Sequence, residues 1–400
     1  MVFFNPFRPG YLDDPYPVLH RLREQEPVHR SNDLDAWVVT RYADCLAVLQ
    51  DDDSYSSDPT ATGSSIAAEV LAKRAHAPLG QTEIMGNSDP PEHTRLRAIV
   101  NRGFAPRVIE SMRATIEASV DAILEDIPAG VPFDVVSRFA EPMAVSTILH
   151  HLGIPREDFA QFRTWSLSLM RARAEGAAIA GVIEAATRAH RDMFEYLADL
   201  AERKQPSDGD VVSVLAAACD DETMRPEEMM MMLIHISLAG NGPTSMALGN
   251  AIAALASQRD AQEWLREDPA AVENAVEELL RYDSSTHFVA RWARTDIKLG
   301  ARTIKAGQQV HAMVGAANRD PQRFAEPDTL NLQRSDNRHL SFGYGIHFCL
   351  GAPLARLELR IAIAKFLQHY GPFRVVVGHR APNYQLRGFQ RLEVTAIPGG

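Results

Sequence analysis

The stretch "FGYGIHFCLG" runs from Phe342 to Gly351 and holds one of only three cysteines in 400 residues. Gly343 and Gly345 precede Cys349, Gly351 follows it, and His347 stands two places upstream. Glycine lets a backbone take positive φ and pass close to a bulky neighbour, so these three glycines predict a tight loop pressed against something large. Beyond the loop, Leu350, Leu354, Leu357 and Ile361 recur at the spacing of one helix face, and Pro353 suits a first turn. Cys349 is therefore expected at a helix N-terminus, where the backbone field favours thiolate over thiol.

A thiolate there has few uses. Zinc needs three or four ligands at standard spacing, and no such set is present. A nucleophile needs a base oriented by an acid; His347 is near, but no acid follows. A single axial ligand to heme iron needs one cysteine, a close-approach loop and shelter from water. An inert buried cysteine is the remaining reading, and the loop residues alone leave it open.

Composition narrows the class. The chain is 46% hydrophobic and 23% charged, which fits a folded protein with a sizeable core. A formal net charge of -11 argues against general affinity for nucleic acid or anionic membranes. Cys45, Cys219 and Cys349 make no disulfide framework, which predicts a reducing, cytoplasmic setting. The longest apolar run, "MMMMLIHISLAG" (Met229–Gly240), is too short to span a membrane.

Helical periodicity dominates from Arg107 to Ala201. Arg225–Gln258 reads as a long, nearly all-apolar helix, hence a central one. Strand-like pieces stand at Trp37–Thr40, Asp296–Gly300, Arg302–Gly307, Gln308–Val314, Phe373–Val377 and Arg391–Ile397. Asp51–Gly86 reads as a long connection of the kind that forms lids. Ser88 or Asp89 is expected to cap the next helix, with Pro90 and Pro91 in its first turn. The prediction is one domain over residues 1–400, mainly α with a minor β region.

Phe342, Gly345, His347, Cys349 and Gly351 match the pattern Phe-x-x-Gly-x-His-x-Cys-x-Gly. With that pattern, and with further segments in matching order along nearly the whole chain, the sequence resembles the bacterial cytochromes P450, which are heme-thiolate monooxygenases. The resemblance implies the prism-shaped cytochrome P450 fold, heme b (iron protoporphyrin IX), Cys349 as the ligand of its iron, and O2 as co-substrate. It implies a small-molecule substrate, a biosynthetic intermediate of secondary metabolism. No flavin or nicotinamide motif is present, so electrons are expected from a separate ferredoxin and ferredoxin reductase. A monomer is expected. Arg338, Arg356, Arg360 and Lys365 are candidates for a basic patch that would meet an acidic ferredoxin.

The resemblance also assigns residues. Glu278 and Arg281, one turn apart in "EELLR", become a buried pair bracing the cysteine loop. A third arginine usually joins them; Thr329 stands at its place, which leaves Arg334 or Arg319. Heme propionates need cationic partners, and His93, Arg97, Arg291 and His347 take that role. Phe342, Gly343 and Gly351 line the cofactor, while Arg95 and Arg294 face solvent. The substrate pocket is expected from Ile84, Met85, Leu233, Ile236, Ser237, Phe288, Val289 and Phe389. His235 and His287 read as core or surface histidines rather than substrate ligands.

The central helix departs from the family. The pattern places Ala-Gly, any residue, an acid and a threonine there; this chain has Ala239, Gly240, Asn241, Gly242, Pro243 and Thr244. Gly242 replaces the acid and Pro243 the alcohol that organise proton delivery. Thr244 or Asn241 could shift into the role, because Pro243 cannot donate to the Ala239 carbonyl and must open the helix. The substrate could supply its own hydroxyl or amine. Or delivery is weak and the oxidation atypical, such as desaturation, coupling or a peroxide-driven reaction. The first two are favoured together, with Ala239, Gly240, Asn241 and Thr244 as the catalytic candidates. A heme-binding sensor without turnover is a different class; the intact Ala239–Gly240 pair and the full cysteine pattern argue against it. The peroxide-using variant usually carries an arginine in this helix, and none occurs between Arg225 and Arg259.

Overall fold

The apolar run read as a central helix folds as one, over Pro226–Ala256. The computed structural model describes residues 4–68, 70, 71, 82, 84–128, 130–175, 181–205 and 209–397. Part of the predicted connection Asp51–Gly86 lies outside the described residues. In chain order the helices are α1 (Tyr16–Gln25), α2 (Tyr42–Gln50), α3 (Glu92–Val100), α4 (Pro106–Ser111), α5 (Arg113–Glu125), α6 (Glu141–Leu152), α7 (Phe159–Glu175), α8 (Val182–Arg203), α9 (Val211–Asp220), α10 (Pro226–Ala256), α11 (Arg259–Glu267), α12 (Val272–Tyr282), α13 (Val314–Ala317) and α14 (Ala352–Tyr370). The strands are β1 (Val28–Ser31), β2 (Ala36–Val39), β3 (Tyr55–Ser56), β4 (Phe133–Asp134), β5 (Val289–Ala293), β6 (Ile297–Leu299), β7 (Arg302–Ile304), β8 (Gln309–Ala312), β9 (Phe373–Arg380) and β10 (Phe389–Ala396). The fold is mainly α with a minor β region, as the periodicity predicts.

Packing divides the chain into two compact units. One comprises Met1–Ala67, Val120–Met143 and Pro243–Gly400, and the other Ala68–Ser119 and Ala144–Gly242. The division falls inside α10, between Gly242 and Pro243.

The first unit holds all the described strands. Five join in the order β1-β2-β8-β5-β3, with β2 and β8 parallel and the other pairs antiparallel. Val39, Cys45, Val48, Ala312 and Leu340 share one apolar cluster beneath this sheet, so Cys45 is a core residue. β4, β10 and β9 form a second sheet, and β6 pairs with β7.

The same unit contains the brace predicted from "EELLR". Glu278 and Arg281 are both fully buried, and Arg281 donates to the two carboxylate oxygens of Glu278 at 2.7 and 2.8 Å. The third arginine is Arg334, whose Nε donates to Glu278 at 3.0 Å. Arg319 instead donates to the Tyr282 carbonyl and lies 3.6 Å from the Tyr16 ring centre. Asn337 and the Asn331 amide supply two further bonds to Glu278. A buried carboxylate needs this many donors to offset its desolvation.

The second unit is helical. α8 buries Ala186, Ala189, Met193, Leu197 and Leu200, an apolar stripe at the helical period. The cap predicted for α3 does not form: its N-cap is Pro91, and the Ser88 hydroxyl donates to the Ile84 carbonyl instead, at 2.7 Å. α10 stays helical on both sides of Pro243, as the single long helix read from the sequence requires. Among the described residues no helix is long and apolar enough to cross a membrane.

Removing one charge of the brace leaves its partners buried and uncompensated. Glu278→Gln is expected to cost about 3–5 kcal/mol, read as a lower urea midpoint for unfolding of the heme-loaded protein.

Candidate active site

The cysteine loop is shaped by backbone that only glycine tolerates. Gly343 and Gly345 have φ of +69° and +73°. A Cβ on Gly345 would lie 2.5 Å from the Leu49 carbonyl oxygen near the end of α2, too close for any side chain. Gly351 differs from the expectation: its φ is -81°, and as N-cap of α14 it needs no special backbone. A Cβ there would have no protein atom within 4 Å. Gly345–His347 forms one 3-10 turn, and the Cys349 amide then donates back to Phe342 at 2.9 Å. Cys349 thus stands just ahead of α14, with its carbonyl taking the Ala352 amide at 3.3 Å.

Behind the loop, the Arg356 guanidinium lies 4.6 Å from the Phe342 ring centre and donates twice to Glu277, at 2.7 and 2.8 Å. His339 reaches Glu277 from its other side at 3.3 Å. Burial alone would raise the Glu277 carboxyl, but hydrogen bonds from His339 and Arg356 outweigh it and hold the group at about 2. The predicted basic patch is internally matched. Arg356 pairs with Glu277, Arg360 with Glu273, Lys365 with Asp121 and Arg338 with Asp336. The large side chains exposed at the loop itself are Tyr344 and Phe348, at 44% and 38%.

Of the expected propionate partners, Arg291 is buried in β5 and His347 is half-buried, both in the first unit. His93 and Arg97 belong to the second unit, one turn apart on α3; His93 is buried and Arg97 donates to Asn101 at 3.0 Å. Arg95 does not face solvent freely: it joins Glu92 and Glu228, each at 2.6 Å.

α10 is buried almost all round. Besides Gly240, its partly or fully exposed residues between Met231 and Met246 are Met231, His235, Leu238, Ala239, Pro243 and Met246. At about 100° per residue these six fall on one side of the helix. Ala239 is the most open of them, although mid-helix. Gly242 falls on the same side, whereas Asn241 and Thr244 are buried and turned away from it. On the opposite side, a Cβ at Gly240 would lie 2.5 Å from Ile148, which fixes the rotation of the helix.

The predicted pocket residues fare unevenly. Leu233 and Ile236 are buried on the Gly240 side, and the Ser237 hydroxyl is used by the Ile234 carbonyl at 2.7 Å. Phe288 stacks on His311 at 4.1 Å inside an apolar cluster, and Val289 packs on the sheet core. Phe389 lies under the Arg380 guanidinium at 3.8 Å. These three are held by the first unit's own packing. Ile84 and Met85 adjoin Gly86, where a Cβ would lie 3.2 Å from His235 Nε2. The sequence reading set His235 aside as a core or surface histidine. The available signal was its spacing of four from Ala239; counting back from Gly240 selected the covered face.

One cysteine on a glycine loop with a braced shell behind it, all in the first unit, is the arrangement a heme-thiolate protein needs. Comparison with known proteins agrees. The family model described as Cytochrome P450 matches residues 145–382. The polyketide biosynthesis cytochrome P450 PksS of Bacillus subtilis (strain 168) is 34% identical, with 98% of each chain covered. The solved structure of PksS superposes with a TM-score of 0.87, covering 98% of this chain and 99% of that one. Nocardicin C N-oxygenase of Nocardia uniformis subsp. tsuyamanensis is 35% identical, covering 93% of this chain and 92% of its own. P450BioI, solved with an acyl carrier protein ligated to hexadec-9Z-enoic acid, is 31% identical at a TM-score of 0.85, covering 97% and 100%. The chain belongs to the cytochrome P450 family: it is a monooxygenase, and its cofactor is heme b. Within the first unit the residues present fit that group, with Cys349 on its glycine loop and open space beside Gly351.

Gly345→Ala must displace the Leu49 backbone or unwind the loop. It is expected to cost about 1–3 kcal/mol and to lower the ratio of heme to protein after purification. A second expectation concerns acid. Because the folded Glu277 carboxyl lies below its ordinary 4.5, its contribution is present above that pH and is lost as pH falls toward 2. Stability measured across that window should fall less steeply in Glu277→Gln than in the parent.

Proposed function

We propose that this cytochrome P450 oxidises a small organic intermediate of secondary metabolism and that the substrate supplies the group which completes proton delivery. The observation that supports this most is the character of the α10 stripe. Gly242 and Pro243, where the family pattern has an acid and an alcohol, fall on or beside it and offer no polar side chain. Asn241 and Thr244 are buried on the far side. Bringing either round requires turning the helix, and the contact between Gly240 and Ile148 opposes that. A hydroxyl or amine on the substrate requires no such movement.

When bound, heme with a thiolate ligand activates O2 with two electrons and places one oxygen atom in the substrate. In this reading Cys349 holds the iron, and His93, Arg97, Arg291 and His347 hold the propionates. The stripe around Ala239 supplies an apolar wall that orients the substrate and excludes bulk water. A ferredoxin and its reductase deliver the electrons. The names of the relatives support the substrate class: PksS is named for polyketide biosynthesis and nocardicin C N-oxygenase for its action on nocardicin C. P450BioI is solved with a carrier-bound acyl chain, so carrier-bound compounds belong in any substrate panel.

The test is coupling: product formed per electron pair consumed, with a substrate found by optical titration of the ferric protein. Asn241→Ala and Thr244→Ala are expected to stay within about twofold of the parent. A substrate analogue lacking its hydroxyl or amine is expected to lose about tenfold or more, in line with the loss of a positioned proton donor. Uncoupling by Thr244→Ala with the intact substrate would overturn the proposal.

A further inference from the structure

This inference rests on the P450 reading in which His93 and Arg97 hold the heme propionates, and it names the residue that holds those two in place. α3, which carries them, is nine residues long. A helix of that length is marginal in water unless something outside it packs or bonds to it. At the ordinary helical step, Arg95 lies about 160° from each of His93 and Arg97, on the opposite flank of the helix. Whatever grips Arg95 therefore sets the rotation at which α3 presents its other flank.

The grip is Glu228, in the first turn of α10. Its carboxylate is 1% exposed, although its two cationic partners, Arg95 and Arg225, reach it from the surface. Arg95 forks onto it, donating at 2.6 and 3.3 Å. Arg225 donates from its side chain at 2.8 Å and from its backbone amide at 2.9 Å. The amide bond is one half of a capping box, so the carboxylate is fixed to the end of α10 before Arg95 meets it. Arg95 also donates to the Thr223 carbonyl, at 2.9 Å, in the turn between α9 and α10. From its own helix it is steadied by Glu92, at 2.6 and 2.9 Å. A bidentate guanidinium with this many fixed partners has little freedom to swing. All of these residues belong to the second unit, so the clamp is internal to it.

We propose that Glu228 is a positioning residue for cofactor binding: acting through Arg95, it sets the rotation of α3 at which His93 and Arg97 meet the two carboxylates of heme.

The test compares heme with its dimethyl ester, which keeps the ring and the iron but carries no propionate charge. The full chain is reconstituted with each, and the rate of cofactor loss to excess apomyoglobin is measured. With heme, Glu228→Gln is expected to speed the loss about tenfold, the effect of weakening one good hydrogen bond to a charged group. Arg95→Leu, which leaves Glu228 bonded to Arg225, is expected to do the same and serves alone if Glu228→Gln does not fold. With the dimethyl ester, both variants are expected to stay within about twofold of the parent, because the contacts in question are already gone. Equal acceleration for the two cofactors would make Glu228 a general support of the fold and overturn the proposal. So would the absence of any acceleration with heme. The carbon monoxide difference spectrum of the reconstituted parent is read first. If it lacks a thiolate band, the heme reading itself fails, and this inference with it.

Discussion

Everything around the cysteine loop hangs on one buried carboxylate. Glu278 has no exposure to water and takes five hydrogen bonds, from Arg281 twice, Arg334, Asn337 and the Asn331 amide. A lone charge in such a place would cost several kcal/mol, so the donors are a condition of folding rather than an ornament. Their reach explains the rest. Arg281 also bonds the carbonyls of Asn318 and Pro327; Asn318 then holds the Leu340 amide and the Ser341 hydroxyl; Leu340 takes the Gly343 amide. A continuous run of polar contacts thereby connects α12 to the turn that presents Cys349. The loop is rigid because a helix behind it is satisfied.

The other half of the chemistry depends on what is left uncovered. α10 is apolar on nearly every side, so composition gives it no inside and outside. Contact decides: Ile148 closes on Gly240 and selects one side as core, and the side bearing Ala239 is left open. The rotation of that helix determines which residues can touch a ligand. It also determines that Asn241 and Thr244, polar and adjacent in sequence to the key pair, spend their side chains elsewhere.

These two halves were unequally legible in the sequence. The cysteine loop was readable because its constraints are local: fixed spacing, a left-handed backbone at Gly343 and Gly345, and a helix directly behind. Glu278 and Arg281 were readable as a pair because they lie one turn apart. Their partner was legible only as a choice between Arg334 and Arg319, since Arg334 lies 56 positions from Glu278 and only the folded chain brings it near. The open face of α10 was unreadable for the reason just given, and anchoring on Gly240 rather than Ala239 named Leu233, Ile236 and Ser237, which lie on the covered side. Phe288 and Phe389 were assigned to the pocket by their position along the chain, which does not show that Phe288 stacks on His311 and that Phe389 lies under Arg380. Ser88 is a good N-cap by type, but a nearer carbonyl takes its hydroxyl.

The fit of Gly345 against the Leu49 carbonyl ties the end of the chain to its beginning. On the ribosome, Leu49 emerges early and waits while roughly 300 residues are added, about 15–60 s at ordinary rates of synthesis. Throughout that interval the seat for Cys349 is half built. On the reading in which Cys349 holds the heme, capture of the cofactor therefore falls among the last events in the making of this protein.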